Sequence, residues 1–310
     1  MSDTKFDPKK DIPDQSGRVY FVTGGTNGLG AQSVIHIATQ KPAHIFFSGR
    51  NPKRAAELIA QIQPHAPATK LTFIACDLSS LVSVQSAAKE LLSKTKRLDV
   101  LMCNAGIMAT PPALSKDGYE LQFATNHLGH ALLIKLLLPL LSNVASQPES
   151  DVRIINLSSV AYQSAPSAGI EFAKLRTENA SYGAFYQPNR WMAYASSKLA
   201  NLLYPIELAA RYPNIMSVAV HPGFIKTELH ANENFIDRQM VNFMADKWLE
   251  KEEGAFNQTW AATTAKSNLQ NGAYYTPVGI KTVPTTRQGK DIRLANELWN
   301  WTERELQAWM

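Results

Sequence analysis

The chain has 310 residues, 45% hydrophobic and 18% charged, with a net charge of +5 at neutral pH. That length suits one large α/β domain, and the apolar content can fill a sizeable core, which excludes a disordered chain. The densest basic spots, Lys9-Lys10 and Lys94–Arg97, are too short for a nucleic-acid footprint, whereas a mild positive potential favours approach of an anionic cofactor.

Residues 1–15 read as a flexible polar lead-in without the apolar run of a signal peptide, and a single domain is expected over 16–310. Arg18–Thr23 is apolar and β-branched, so it predicts a strand, followed by a helix over about Gly28–Gln40. Between them lies Thr23-Gly24-Gly25-Thr26-Asn27-Gly28-Leu29-Gly30. Glycines between a strand and a helix allow a tight turn, approach of a pyrophosphate to backbone, and close helix packing; the helix N-terminus then faces the phosphate charge. In this loop Gly24 makes the turn, Gly28 admits the pyrophosphate, and Gly30 lets the helix pack. A dinucleotide site is expected.

A second strand over His44–Ser48 leads into a helix from about Pro52. Its end is where an acidic residue would hold a ribose diol. Arg50 stands there instead, and a guanidinium suits a 2′-phosphate, so NADP(H) is the expected cofactor. Strands over Lys70–Cys76 and Leu98–Cys103 flank a helix near Leu81–Lys94. Cys76 and Cys103 each end a short apolar run and read as buried free thiols, which points to a reducing compartment, the cytoplasm. A long helix is expected over about Asp117–Ser142. Its most apolar part, Ala131–Leu141, is too short for a bilayer and contains Lys135, so it reads as a buried helix with no membrane anchor.

A strand over Val152–Leu157 delivers Ser158-Ser159 to the carboxyl end of the sheet, a helix covers about Ala193–Arg211, and a strand spans Ile215–Val220. On that helix Tyr194 and Lys198 are four apart and share a face. A phenol with its pKa of about 10 is a poor acid or base near neutrality, and a nearby ammonium lowers that value. Asn126, inside the long helix, is a fourth polar candidate. Two stretches read as irregular: Ala161–Arg190, a binding loop or a surface insertion, and Glu228–Glu253, a substrate lid whose Phe235, Met240, Phe243, Met244 and Trp248 face either substrate or core. The strands show little polar alternation, so both sheet faces are covered, and the repeating strand–helix order predicts a doubly wound parallel sheet of Rossmann type.

The motifs together resemble the short-chain dehydrogenase/reductase family. They are Thr23–Gly30, Asp77-Leu78, Asn104-Ala105-Gly106, Asn126, Ser158-Ser159, Tyr194–Lys198 and His221-Pro222-Gly223 with Thr227, in the family's order over roughly 17–229. The stretch from Tyr194 to Tyr204 and the wide serine–tyrosine gap are similar to the branch with retinol dehydrogenases and WW-domain oxidoreductases. The resemblance implies NADP(H)-dependent hydride transfer between a ketone or aldehyde and an alcohol. The substrate would be a lipophilic small molecule such as a retinoid, steroid or secondary metabolite. Tyr194 would be the general acid in reduction and the base in oxidation, Lys198 would hold the nicotinamide ribose, Ser159 the carbonyl oxygen, and Asn126 a water in a proton relay. The cofactor would further meet the loop at Gly24, Thr26, Asn27, Gly28, Leu29 and Gly30, with Asp77 and Leu78 at the adenine. Asn104, Ala105 and Gly106 would lie along the ribose, and Pro222, Gly223 and Thr227 at the carboxamide. No metal is implied. Asn27 stands where many NADPH users have a basic residue, so the phosphate preference rests on Arg50.

A homodimer is expected, because the helices near 117–142 and 193–211 are more apolar than one sheet face can cover; the alternative is a monomer whose insertion or lid covers them. Two other functions remain open: a redox-sensing NADP(H)-binding regulator without turnover, and a redox-neutral enzyme such as an epimerase. A regulator has no need for Ser159, Tyr194, Lys198 and Asn126 together.

Overall fold

Among the described residues the strands converge on one sheet, apart from one short pair. A computed structural model describes residues 6–177, 189–225 and 248–310. In chain order the main elements are α1 (Pro8–Asp11), β1 (Val19–Val22), α2 (Gly28–Ala38), β2 (His44–Gly49), α3 (Pro52–Ile62), β3 (Lys70–Ala75), α4 (Leu81–Lys94) and β4 (Val100–Cys103). Then come α5 (Leu121–Ala145), β5 (Val152–Leu157), α6 (Asn189–Arg211), β6 (Ile215–Val220), β7 (Phe224–Ile225) and β8 (Trp248–Leu249). The chain closes with α7 (Lys251–Gly254), α8 (Phe256–Thr263), β9 (Tyr274–Thr276), β10 (Ile280–Lys281) and α9 (Ile292–Leu306).

The eight-stranded sheet has the order β10-β9-β6-β5-β4-β1-β2-β3. Every pairing in it is parallel except β9 with β10. This is the expected Rossmann-type winding, with the direction of progression reversing between β1 and β4. The pleat divides β1 between two cores: Val19 and Phe21 pack on the α4, α5, α6 and α9 side, Tyr20 and Val22 on the α2, α3 and α8 side. Hence all four residues are buried and the strand shows no polar alternation.

The long helix starts at Leu121 rather than Asp117. The preceding residues form a turn closed by a Leu114–Glu120 bridge, and the Asp117 carboxylate accepts the Leu81 amide at 2.8 Å. Glu120 then caps the helix, accepting from the amides of Gln122 and Phe123. The continuous helix is 25 residues, long and apolar enough to cross a bilayer by length and composition, which the expectation from Ala131–Leu141 alone had excluded. Most of its apolar window is buried inside the domain, so core packing accounts for that apolar character.

The lead-in is packed from Phe6 onward. Asp7 caps α1, Ile12 and Gln15 are buried, and Phe6 meets Phe256 edge-on at 5.6 Å. Of the first irregular stretch, residues 161–177 run as short 3-10 turns along the α5 side, and 178–188 lie outside the described residues. Of the lid expected over 228–253, Trp248-Leu249 pairs in parallel with Phe224-Ile225 and Lys251–Gly254 is helical. Phe235, Met240, Phe243 and Met244 lie outside the described residues.

The apolar excess of α5 and α6, from which a dimer was expected, is covered within the chain by α9. Leu294, Ala295, Leu298, Trp299, Trp301 and Leu306 are buried in the same core as Leu132, Leu203 and Tyr204. Trp299 stacks on Tyr204 with centroids 5.1 Å apart, and Trp301 meets Phe123 edge-on at 5.6 Å. Charged groups fasten the helix at its margin: Lys135 to Glu303, and Arg176 to Glu305. On the opposite face of the sheet Arg153, almost fully buried, donates to Asp151 and to the carbonyls of Ala261 and Thr264.

Candidate active site

The carboxyl ends of β1, β4 and β5 bring the loop, the Asn104 turn and Ser159 together, and α5 and α6 lay Asn126, Tyr194 and Lys198 across them. In the loop, Gly28 has φ +56 and nothing within 4 Å of where a Cβ would stand, so the first turn of α2 opens onto free space. A Cβ on Gly30 would lie 2.3 Å from the Gly24 carbonyl oxygen and 2.4 Å from Asn104 Nδ2, so only glycine lets α2 seat. The loop is tied to β2 by the Gly25 amide donating to the Ser48 carbonyl at 2.8 Å. Past that bond Arg50 is exposed beside the loop, where a 2′-phosphate could reach it, and Asn51 caps α3. An open helix N-terminus with an exposed guanidinium nearby fits a dinucleotide carrying a 2′-phosphate.

Thr23 is the hub of this corner. Its hydroxyl accepts the amides of Asn104 (2.9 Å) and Ala105 (3.0 Å), while Asn104 Nδ2 donates to the Thr23 carbonyl at 2.7 Å. Asn104 Oδ1 accepts from Gln258 Nε2 at 2.9 Å, so α8 also fixes this turn. At the end of β3, Asp77 Oδ1 accepts from the amide and hydroxyl of Ser79, and Leu78 is buried against Gly129. Gly106 lies beside Asn126 Oδ1 and Lys198 Nζ.

The two serines part company. Ser158 is buried and donates to the Lys198 carbonyl at 2.7 Å, so it anchors α6. Ser159 lies close enough to the Tyr194 hydroxyl to draw its pKa down, and it accepts the Ala161 amide at 3.2 Å. Tyr194 and Lys198 share one helical face, with Lys198 Nζ 5.6 Å from the Tyr194 ring centroid and donating to the Leu157 carbonyl at 3.0 Å. Burial dominates both groups. It pushes the Tyr194 phenol up to about 12, against the lowering by Ser159, and draws the Lys198 ammonium down to about 8. The lowering of the phenol expected from the ammonium is not found in the protein alone, where desolvation sets the shift.

The Asn126 side chain is fully committed. Oδ1 accepts the Ile107 amide at 2.8 Å, and Nδ2 donates to the Ile107 carbonyl and to Ser197 Oγ, both at 2.9 Å. It clamps the β4 loop to α6 and has no N–H left for a water. Asn126 sits in a π-helical turn, Ala124–Leu128, within α5, a distortion common at functional sites. Pro222 and Gly223 follow β6 at the same edge, and Thr227 lies outside the described residues. His130, Ser197, Asn201 and Gln258 were not singled out from sequence. The only available signal was spacing: His130 is one turn beyond Asn126, and Ser197 lies between Tyr194 and Lys198.

The short chain dehydrogenase family profile matches residues 18–171. A short-chain dehydrogenase/reductase of Aspergillus calidoustus is 33% identical over 311 residues, covering 95% of this chain and 95% of its own length. The chain belongs to the short-chain dehydrogenase/reductase family. Among other members, an uncharacterized oxidoreductase of Schizosaccharomyces pombe is 34% identical, covering 95% of this chain and 86% of its own length. The crystal structure of an NADPH-bound carbonyl reductase from chicken fatty liver superposes with a TM-score of 0.60 at 25% identity, over 84% of this chain and 96% of that one. The chain is thus an oxidoreductase of this family, with Ser159 just past β5 and Tyr194 and Lys198 on α6.

Proposed function

We propose that this protein is an NADPH-dependent carbonyl reductase, reversible as an alcohol dehydrogenase, acting on a lipophilic ketone or aldehyde. The observation that carries the reading is the meeting of Ser159, Tyr194 and Lys198 beside the open mouth of the phosphate loop. NADPH supplies the hydride when bound. The remaining work belongs to side chains of this chain. Tyr194 donates its phenolic proton to the substrate oxygen as negative charge develops there, and its high pKa keeps that proton in place at neutral pH. The Ser159 hydroxyl, beside Tyr194, donates to the same oxygen and orients it. Lys198 holds a ribose hydroxyl and places positive charge near the phenol, which stabilises the phenolate left once the proton has been given up. Asn126 keeps the β4 loop and α6 in register. Arg50 takes the 2′-phosphate.

The lipophilic substrate class is supported by the surroundings of Tyr194: Met108 and Ala109 cluster with it, and Ala161 and Trp191 pack against the group. The relative that is an NADPH-bound carbonyl reductase supports the cofactor and the reaction type. Free Cys76 and Cys103, both buried, agree with a reducing compartment, for which we take the cytoplasm. Because α9 covers the outer faces of α5 and α6, we take the working unit to be one chain rather than the homodimer expected from sequence. A panel of aldehydes and ketones, with NADPH oxidation followed by absorbance and products quantified, tests the reading. Stoichiometric alcohol formation is expected. NADPH binding without consumption by any member of the panel would favour a regulator or a redox-neutral enzyme instead.

A further inference from the structure

His130 is buried on α5, one turn past Asn126, and neither of its ring nitrogens is idle. Nδ1 lies 3.0 Å from the Asn126 main-chain carbonyl oxygen, and Nε2 lies 2.8 Å from the Thr23 hydroxyl. A carbonyl only accepts, so Nδ1 must carry a proton. The Thr23 oxygen already accepts the amides of Asn104 and Ala105, so its own hydrogen is free to donate, and Nε2 at 2.8 Å is a closer acceptor than the Met102 carbonyl at 3.3 Å. Burial holds the imidazole pKa down to about 4, which agrees with a neutral ring carrying a single proton on Nδ1.

The ring thus joins two parts of the site that lie far apart in sequence. On the Nε2 side is the Thr23–Asn104–Ala105 corner that faces the cofactor. On the Nδ1 side is the π-helical turn of Asn126, whose amide donates to Ser197 Oγ, which in turn donates to the Tyr194 carbonyl at 2.6 Å. We propose that His130 is a positioning residue that sets cofactor affinity through its Nε2 bond to Thr23 and turnover through its Nδ1 bond to Asn126. This inference rests on the carbonyl-reductase reading for its turnover half only; the affinity half depends on dinucleotide binding alone.

The two bonds can be removed separately. In His130→Asn the side-chain amide reaches the position of Nδ1 and can still donate to Asn126, but it falls short of Thr23. In His130→Gln the longer amide reaches the position of Nε2 and can accept from Thr23, with nothing left at Nδ1. A lost buried hydrogen bond corresponds to roughly fivefold to tenfold in an equilibrium or rate constant. His130→Asn is expected to weaken NADPH binding by about that factor in a fluorescence titration, with kcat lowered less than about threefold. His130→Gln is expected to show the reverse split: kcat down about fivefold to tenfold, and NADPH affinity within about threefold.

A double-mutant cycle guards against a general packing effect. In a Thr23→Val background the Nε2 bond is already gone, so adding His130→Asn should cost no further NADPH affinity. Additive losses in that cycle, or two variants that lower affinity and kcat in the same proportion, would overturn the proposal. A wild-type chain that binds NADPH but reduces no carbonyl defeats the functional reading alone, and the binding titrations and the cycle then decide whether His130 ties Thr23 to the helix.

Discussion

At the scale of single residues, burial is the strongest force on Tyr194 and Lys198, the catalytic pair we propose. Lys198 has a folded pKa of about 8 against an ordinary value near 10.5, so its charge is present below pH 8 and lost as pH rises through that value. The charged form is the one that holds a ribose hydroxyl by donation. The apparent kcat/KM for NADPH, which reports groups of the free enzyme, is therefore expected to be level below about pH 8 and to fall above it. A profile that stays level to about pH 10 would mean that Lys198 does not govern cofactor capture. Arg50 is a second single-residue test. Its exposed guanidinium would make one charge-assisted contact to the 2′-phosphate, so Arg50→Ala should weaken NADPH binding about tenfold and leave NADH binding within about twofold. Equal losses for both cofactors in parallel titrations would remove Arg50 from the 2′-phosphate.

Much of the site was legible at this scale because its residues sit at fixed offsets on predicted elements. The Tyr194–Lys198 spacing and the glycines of the loop are of that kind. The choice of Ser159 over Ser158 came only with the resemblance, since spacing does not reveal which hydroxyl meets the Lys198 carbonyl and which lies beside Tyr194. The bond between His130 and Thr23 was beyond reach for the same reason, its partners being brought together only when α5 crosses β1. That Ile107 and Ser197 occupy the Asn126 side-chain amide was likewise out of reach, because nothing in the sequence brings these three together.

At the scale of elements, the strands were the clearest part of the sequence and the ends of helices the least. Val152–Leu157 and Ile215–Val220 are found as expected, because a parallel strand buried on both faces is a continuous apolar run. The four-residue shift at the start of α5 comes from Glu120 acting as a cap, a local hydrogen-bonding choice that hydrophobic periodicity does not register. The pairing of β7 with β8 left no trace, since two-residue strands have no period to read. The helix α9 did leave one: Leu294, Leu298, Trp301 and Leu306 recur at helical spacing and are all buried. Its weight in the fold can be measured. Trp299 is buried, stacks on Tyr204, and has the Arg211 guanidinium 4.5 Å from its ring centroid. Trp299→Ala is expected to cost about 3–5 kcal/mol in urea unfolding with little change in the m-value. A loss below about 1 kcal/mol would show that α9 only lies on the surface.

At the scale of the whole molecule, α9 decides how the chain presents itself to others. Its tryptophans share the core of α5 and α6, and Lys135–Glu303 and Arg176–Glu305 tie its margin, which supports our proposal of a single-chain unit. Light scattering at micromolar concentration is expected to give the mass of one chain, and a stable dimer there would place the pairing surface elsewhere. Within that unit the sheet order, the loop, α5 and α6 serve the arrangement we propose, with Tyr194 as a proton donor beside a dinucleotide site. The most direct test is Tyr194→Phe, which keeps the shape of the ring and removes only the proton. On a carbonyl that the wild type reduces, turnover is expected to fall by about 100-fold or more, while the NADPH dissociation constant stays within about threefold. Near-normal turnover in Tyr194→Phe would mean that the proton comes from another group and that Tyr194 is not the general acid.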